Sequence, residues 1–340
     1  MEVLIFLFLI LINPSSFVFL LSLFSGTIIS ISSSSWLGIW IGLEINLLAF
    51  IPLIYKNKTP YETESAIKYF LVQAIASIIF IIAVLIREIY TFSLNDPIPY
   101  LISSALIIKI GAAPFHFWFP GVIEGIDWFN CFILITWQKL APFILISYKL
   151  INNLIIFSIF ASTLIGSVGG LNQNSIRKII AYSSIRHLGW IISAIIIRND
   201  LWLLYFTIYA VINMAIIYLF YSQSLFHLSQ SFFTKTNPMI KFSIIIRILS
   251  LAGLPPFLGF LPKWLVIQNL TNQGSFLMLV FIVITTLLTL YFYIRVIFSS
   301  FIFISQESKW NTRVNSSKIT SISIIISILG IPAITWLIQY

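Results

Sequence analysis

Four ionisable residues lie inside apolar stretches of the sequence, where charged side chains are rare: Glu44, Lys109, Lys139 and Lys263. If these stretches cross a lipid bilayer, each charge costs roughly 2.5 to 3.5 kcal/mol on insertion scales, so each needs a partner or a water-filled path. Buried lysines can carry protons, because an apolar environment makes proton release easier than it is in water. The alternatives are that each lysine extends to the membrane interface or forms a static ion pair.

Lys109 and Lys263 each lie beside one copy of the motif G-x-x-P-F-x-x-x-x-P, and the two copies are 142 residues apart. The residues that break the helices are Gly111, Pro114, Gly253, Pro255 and Pro256. Breaks inside a bilayer are tolerated only where protein or water satisfies the exposed backbone groups. The two motifs therefore predict an inverted repeat with one discontinuous helix in each half, an arrangement in which transporters place ion sites.

Two histidines, His116 and His187, are candidate relay residues, because a neutral imidazole can pass a proton between its two nitrogens. The alternative for each is a hydrogen bond that only packs helices together. Glu44 favours the charged form of any neighbouring lysine, so a change at Glu44 would alter how that lysine holds its proton. A glutamate and a lysine of this kind could form a switch.

The composition excludes a soluble protein, since 59% of the 340 residues are hydrophobic, 9% are charged and the mean hydropathy is +1.04. The net charge of +9 is spread over loops, which indicates membrane orientation rather than nucleic-acid binding. One cysteine and three histidines exclude a self-contained iron–sulfur cluster. We therefore predict neither a metal site nor a bound cofactor in this chain.

The hydropathy pattern predicts an all-α polytopic membrane protein with about eleven transmembrane helices and a single transmembrane domain over residues 1–340. The predicted spans are 14–33, 36–55, 61–87, 98–120, 123–147, 150–169, 173–197, 200–226, 239–271, 275–303 and 318–338. Residues 14–147 form the first predicted repeat, residues 150–303 the second, and residues 318–338 a C-terminal helix.

Alternating spans distribute the basic loop residues unequally between the two sides of the membrane. One side receives Lys56, Lys58, Arg177, Lys178, Lys235, Lys241, Lys309, Arg313 and Lys318, and the other receives Arg87, Lys149 and Arg198. Basic residues concentrate on the inner side of membranes, so the N-terminus is predicted inside and the C-terminus outside.

Seven segments resemble the family of NADH dehydrogenase subunit 2 of mitochondrial complex I, in its animal, arthropod-type form. The segments lie between residues 33 and 264 and occur in the same order as in the family. They read SSSWLGIWIGLEINLLAFIPL, SAIKYFLVQAIAS, LIIKIGAAPFHFWFP, TWQKLAP, IGSVGGLNQNSIRKIIAYSSI, HLGW and GLPPFLGFLPKW. One such segment alone is a weak signal, but together they are specific. The last 75 residues and the first dozen match the family only in hydropathy.

The resemblance implies an antiporter-like fold and a role as a core membrane subunit of a proton-pumping NADH:ubiquinone oxidoreductase in the mitochondrial inner membrane. In that family a glutamate and three lysines line a hydrated axis at mid-membrane, and Glu44, Lys109, Lys139 and Lys263 occupy the matching positions. The implied partners are other membrane-arm subunits and lipids, without nucleic acid. NADH, FMN, iron–sulfur clusters and ubiquinone would act in the rest of the complex.

Our hypothesis for the individual roles is that Lys139 is the central proton carrier, that Glu44 modulates Lys109, and that Lys263 lies on the exit side. One alternative is a stand-alone cation/proton antiporter of the same superfamily, and another is a structural membrane subunit that has lost transport. Arg186 and Arg247 are charges where relatives carry neutral residues. We hypothesise that these letters, and part of the isoleucine excess, come from a codon table unsuited to mitochondria.

Overall fold

The structure is a computed structural model that describes residues 14–56, 59–89, 97–148, 153–228, 230 and 238–301. These ranges contain thirteen α-helices. In chain order they are α1 (Pro14–Ser32), α2 (Trp36–Ile54), α3 (Pro60–Ile89), α4 (Ile98–Ile110), α5 (Trp118–Gly125), α6 (Trp128–Ile135), α7 (Trp137–Ser147), α8 (Asn153–Gly169), α9 (Ile176–Ile197), α10 (Asn199–Ser222), α11 (Pro238–Ala252), α12 (Phe260–Asn272) and α13 (Phe276–Phe301).

Within the described ranges, seven helical stretches are long and apolar enough to cross a membrane, and three shorter apolar helices accompany them. These findings confirm the predicted all-α polytopic class. The predicted spans from 14–33 to 275–303 coincide with helices α1 to α13, with three of the spans built from two consecutive helices each. The predicted C-terminal span, 318–338, lies outside the described residues, as do residues 1–12.

The chain divides into two compact units, residues 1–158 and residues 159–340, which we call unit 1 and unit 2. Helix α8 includes the boundary between them. The inverted relation between the predicted repeats, 14–147 and 150–303, stays a prediction.

In unit 1, two glycines allow α1 and α2 to approach each other closely. A Cβ added at Gly42 would lie 2.5 Å from the backbone nitrogen of Ser30, and one added at Gly26 would lie 2.8 Å from the backbone nitrogen of Asn46. Small residues permit this kind of backbone approach between membrane helices. Helix α3 packs against α2, α4 and α5, and α7 packs against α1, α4 and α6.

In unit 2, α9 is the central helix, and 17 of its 22 residues are buried. Helices α10, α12 and α13 pack against it. Helix α13 is the opposite case, because only 28% of the residues in its apolar 18-residue stretch are buried, and large apolar side chains such as Leu277 and Tyr291 are exposed. Apolar side chains that face outward suit a helix surrounded by lipid. Polar residues on α9 are therefore held inside unit 2, away from the lipid.

Candidate functional site

The first predicted helix break lies in unit 1, between the end of α4 at Ile110 and the start of α5 at Trp118. Gly111 ends α4 with a left-handed conformation, at φ 76°, which glycine adopts without steric cost. Its backbone N–H donates to the carbonyl oxygens of Ile107 and Ile108, and the N–H of Ala112 also donates to Ile107. The chain then passes through Pro114 before it becomes helical again.

The second break lies in unit 2, between α11 and α12, and its backbone repeats the geometry of the first. Gly253 has φ 73°, and its N–H donates to the carbonyls of Leu249 and Ser250, while the N–H of Leu254 donates to Leu249. These bonds join the positions that lie 142 residues after their counterparts in the first break. Pro255 and Pro256 follow within the connecting loop. The repeated motif thus produces the same local structure twice.

Lys109 lies in the last turn of α4 and is 7% exposed. Its backbone carbonyl, close to the break, accepts a hydrogen bond from the buried Gln73 amide on α3 at 3.3 Å. Glu44, on α2, is half-buried and lies in the same unit as Lys109. The action of these two residues as a pair stays a prediction.

Lys139 lies in the first turn of α7 and is 1% exposed, so it is the most deeply buried of the three lysines. Its Nζ atom lies 4.4 Å from the ring centroid of Phe119, which is a cation–π distance. The helix is interrupted three residues earlier at Thr136, whose hydroxyl donates to the Phe132 carbonyl at 2.7 Å. Threonine hydroxyls that bond the carbonyl four residues back bend helices. This third, milder interruption adds to the two breaks that the motifs predict.

Gln138, the residue before Lys139, belongs to a hydrogen-bonded group of neutral polar side chains. The Gln138 amide donates to Asn46 Oδ1 on α2 at 2.9 Å, and the Tyr69 hydroxyl on α3 donates to Gln138 Oε1 at 3.3 Å. Asn46 and Tyr69 are both buried. This group is not among the predicted site residues, although a glutamine and an asparagine within apolar runs are a usable signal for it.

The two candidate relay histidines have different surroundings. In unit 2, His187 Nδ1 lies 2.9 Å from the Tyr205 hydroxyl, and its Nε2 lies 2.8 Å from a guanidinium nitrogen of Arg186. In unit 1, His116 Nδ1 lies 3.1 Å from the carbonyl oxygen of Pro114, inside the first break. A relay role is easier to support for His187, because its Nδ1 faces the Tyr205 hydroxyl, which can both donate and accept a hydrogen bond. For both residues it stays a prediction.

Lys263 lies in the first turn of α12 and is 5% exposed. Its Nζ atom donates to the carbonyl oxygen of Ala252, the last residue of α11, at 2.5 Å. The Trp190 ring of α9 lies 5.9 Å away, measured from Nζ to the ring centroid. The Lys263 side chain therefore connects the two helices on either side of the second break, since it belongs to α12 and bonds to the end of α11.

The two unusual arginines are both fully buried in unit 2. Arg186 is 0% and Arg247 is 1% exposed. Arg247 donates one hydrogen bond to the Ala215 carbonyl, and Arg186 contacts His187 and the Leu251 carbonyl. Each guanidinium nevertheless leaves two buried nitrogens without a hydrogen-bond partner in the described part of the chain. Such groups are costly, so neither arginine fits its site well.

Comparison with known proteins gives one family-model match, to "NADH:quinone oxidoreductase/Mrp antiporter, TM", over residues 33–289. Among curated proteins, NADH-ubiquinone oxidoreductase chain 2 of Anopheles gambiae is 50% identical over 93% of this chain and 95% of its own length. The chain of the same name from Aedes aegypti is 48% identical over 94% of this chain and 97% of its own length.

Among solved structures, a chain of the respiratory complex I from Thermus thermophilus with bound aureothin matches with a TM-score of 0.80. It is 22% identical and the match covers 93% of this chain and 78% of that one. At this identity the likeness describes the fold.

Proposed function

Because this chain belongs to the NADH:quinone oxidoreductase/Mrp antiporter family of membrane proteins, we propose that it is a core membrane subunit of a proton-pumping NADH:ubiquinone oxidoreductase. It provides an antiporter-like path for protons, coupled to electron transfer elsewhere in the complex. The chain is thus part of an enzyme, an H⁺-translocating oxidoreductase, whose reaction is spread over several subunits.

The observation that carries this proposal is the pairing of a buried lysine with each helix break. Lys109 lies two residues before Gly111, and Lys263 crosses the break that begins at Gly253. Discontinuous helices place exposed carbonyls and half-helix ends beside ion sites in transporters. Two breaks with the same backbone hydrogen bonds, each beside a lysine, are hard to explain by packing alone.

In the proposed path each lysine accepts a proton as a neutral amine and releases it as an ammonium. Lys139 is the central carrier. Because it is buried, its ammonium depends on partners inside the protein, such as the Phe119 ring. Glu44 modulates Lys109 through its charge, and Lys263 serves the exit side. His187 and His116 are relay candidates, and Tyr205 is the hydroxyl partner of His187.

The same proposal includes the location, the partners and the cofactors. The chain lies in the mitochondrial inner membrane, with its N-terminus on the matrix side and its C-terminus on the side of the intermembrane space. It contacts other membrane-arm subunits and lipids. NADH, FMN, iron–sulfur clusters and ubiquinone act in the rest of the complex, and this chain holds none of them.

A stand-alone cation/proton antiporter is the second candidate, because the family model covers Mrp antiporters as well as quinone oxidoreductases. The two candidates differ in what accompanies the chain in its membrane. To separate them, inner membranes are dissolved in mild detergent, the particles are resolved on a native gel, and each band is tested for NADH oxidation and for peptides of this chain.

Co-migration of the peptides with a large NADH-oxidising assembly supports the oxidoreductase subunit. A small particle that contains the chain and does not oxidise NADH would contradict it and favour the antiporter.

A further inference from the structure

The ammonium of Lys263, a residue of α12, lies at the C-terminal end of α11, at the last backbone carbonyl of that helix. Its Nζ atom lies 2.5 Å from the oxygen of Ala252, where α11 ends. The last carbonyls of an α-helix carry partial negative charge, and α11 is 15 residues long. A protonated lysine binds such a carbonyl more strongly than a neutral amine does, because charged hydrogen bonds are the stronger ones.

Gly253 provides the space in which the Lys263 side chain reaches this carbonyl. A Cβ added at Gly253 would lie 2.6 Å from Nζ and 2.8 Å from both Cδ and Cε of Lys263. Those atoms form the flexible end of a side chain, so they would move away while the backbone stayed in place. Any residue larger than glycine at this position therefore displaces the ammonium from the Ala252 carbonyl.

Two other glycines have the same backbone conformation without this contact. Gly111 and Gly274 have φ 76° and 71°, compared with 73° at Gly253. A Cβ at Gly111 would meet the rings of Phe119 and Trp118 at 3.2 Å, whereas at Gly274 nothing lies within 4 Å. The left-handed conformation alone explains the glycine at all three positions, but only at position 253 does the missing side chain also make room for a lysine.

We propose that Gly253 is a positioning residue, and that Gly253 and the Ala252 carbonyl together form a seat that holds protonated Lys263 in the second helix break. The lysine keeps its proton while it is seated, and it gives the proton up once its ammonium leaves the carbonyl. This inference rests on the proposed function, in which Lys263 carries protons. The centroid of the Trp190 ring lies 5.9 Å from the Lys263 Nζ atom.

The test compares Gly253→Ala with Gly274→Ala in the assembled complex in inner-membrane vesicles. Both changes put alanine into a left-handed position, so they share the backbone strain, but only Gly253→Ala meets Lys263. We expect Gly253→Ala to reduce proton-coupled NADH:ubiquinone turnover per assembled complex by at least about tenfold, the scale of one lost charged hydrogen bond. Gly274→Ala keeps turnover close to that of the unchanged complex.

A double-mutant cycle with Lys263→Ala shows whether Gly253 acts through the lysine. We expect Gly253→Ala to cost nothing further once Lys263 is alanine. Equal additional losses in both backgrounds would assign Gly253 a purely structural role and overturn the proposal. If Lys263→Ala alone left turnover and pumping normal, the proposed role of Lys263 in proton transfer would be wrong. If Lys263→Ala impaired them and Gly253→Ala did not, only the seat would be wrong.

Failure of the Gly253→Ala complex to assemble is also informative. If the lysine side chain is the obstacle, Lys263→Ala removes it, and the double variant Gly253→Ala/Lys263→Ala must assemble. A double variant that still fails to assemble contradicts the seat, since the defect would then come from the backbone of the break.

Discussion

Replacing Gly42 by alanine tests how closely α1 and α2 must pack to hold Glu44, two residues further along α2. A Cβ at position 42 would lie 2.5 Å from the Ser30 nitrogen, 2.8 Å from the Ser30 Cα and 2.8 Å from the Gly26 oxygen. All three are backbone atoms, which cannot rotate aside as a side-chain end can. Ordinary contact begins at 3.4 Å, so the two helices must separate locally by roughly 1 Å.

Overpacking on this scale costs about 1 to 3 kcal/mol, and separated helices also lose dispersion contacts along their length. The assay is the temperature at which intact complex is lost in detergent. We expect Gly42→Ala to lower that midpoint by several degrees, at about 2 to 4 °C for each kcal/mol. Gly121→Ala is the matched control, because Gly121 is also helical and a Cβ there meets nothing within 4 Å. Equal midpoints for the two variants would refute the reasoning.

Two further predictions concern Gln73 and Arg186. Gln73→Leu removes the amide that donates to the buried Lys109 carbonyl at 3.3 Å, at a cost of about 1 to 3 kcal/mol. The variant complex should therefore lose thermal stability and turnover. Unchanged thermal stability and turnover would mean that the amide does not support the first break. For Arg186, whose buried guanidinium leaves two nitrogens unpaired, mass spectrometry of the native peptide 178–198 should show a smaller neutral residue. Arginine at that position would contradict the codon-table hypothesis.

The helix breaks could be predicted from sequence because their causes are local. Gly111 and Gly253 adopt the left-handed conformation that ends a helix, and the prolines that follow cannot continue the hydrogen-bond ladder. A motif of a few residues therefore determines where α4 and α11 end. The long apolar stretches were predictable for the same reason, because the length of a span follows from the thickness of the bilayer.

The contacts at the site could not be predicted, because they join residues that are distant in sequence or on separate helices. The bond between Gln138 and Asn46 joins residues 92 positions apart, and the bond between Gln73 and the Lys109 carbonyl joins residues 36 apart. Lys263 is a special case. Sequence places it next to the second break, but its contact with the Ala252 carbonyl depends on how the chain folds back after Gly253.

The interruption at Thr136 is not predictable from the sequence for a different reason. Threonine inside an apolar stretch is common in membrane helices, and only its hydrogen bond to the Phe132 carbonyl distinguishes this one. The sequence therefore predicts one continuous span over 123–147, whereas the structure builds it mainly from α6 and α7.

The central claim is that Lys139 carries protons, and Lys139→Met in the assembled complex tests it most directly. Methionine is close to lysine in length and is unbranched, so it fills the same buried space without the charge. Lys68→Met is the control, since Lys68 is exposed and pairs with Glu64 on the surface of α3. The measurement is the number of protons pumped per NADH in membrane vesicles, together with NADH:ubiquinone turnover and the amount of assembled complex. We predict normal assembly for both variants and, for Lys139→Met alone, a loss of pumping with or without a loss of turnover. Normal pumping and turnover in Lys139→Met would contradict the account and favour a structural subunit that has lost transport.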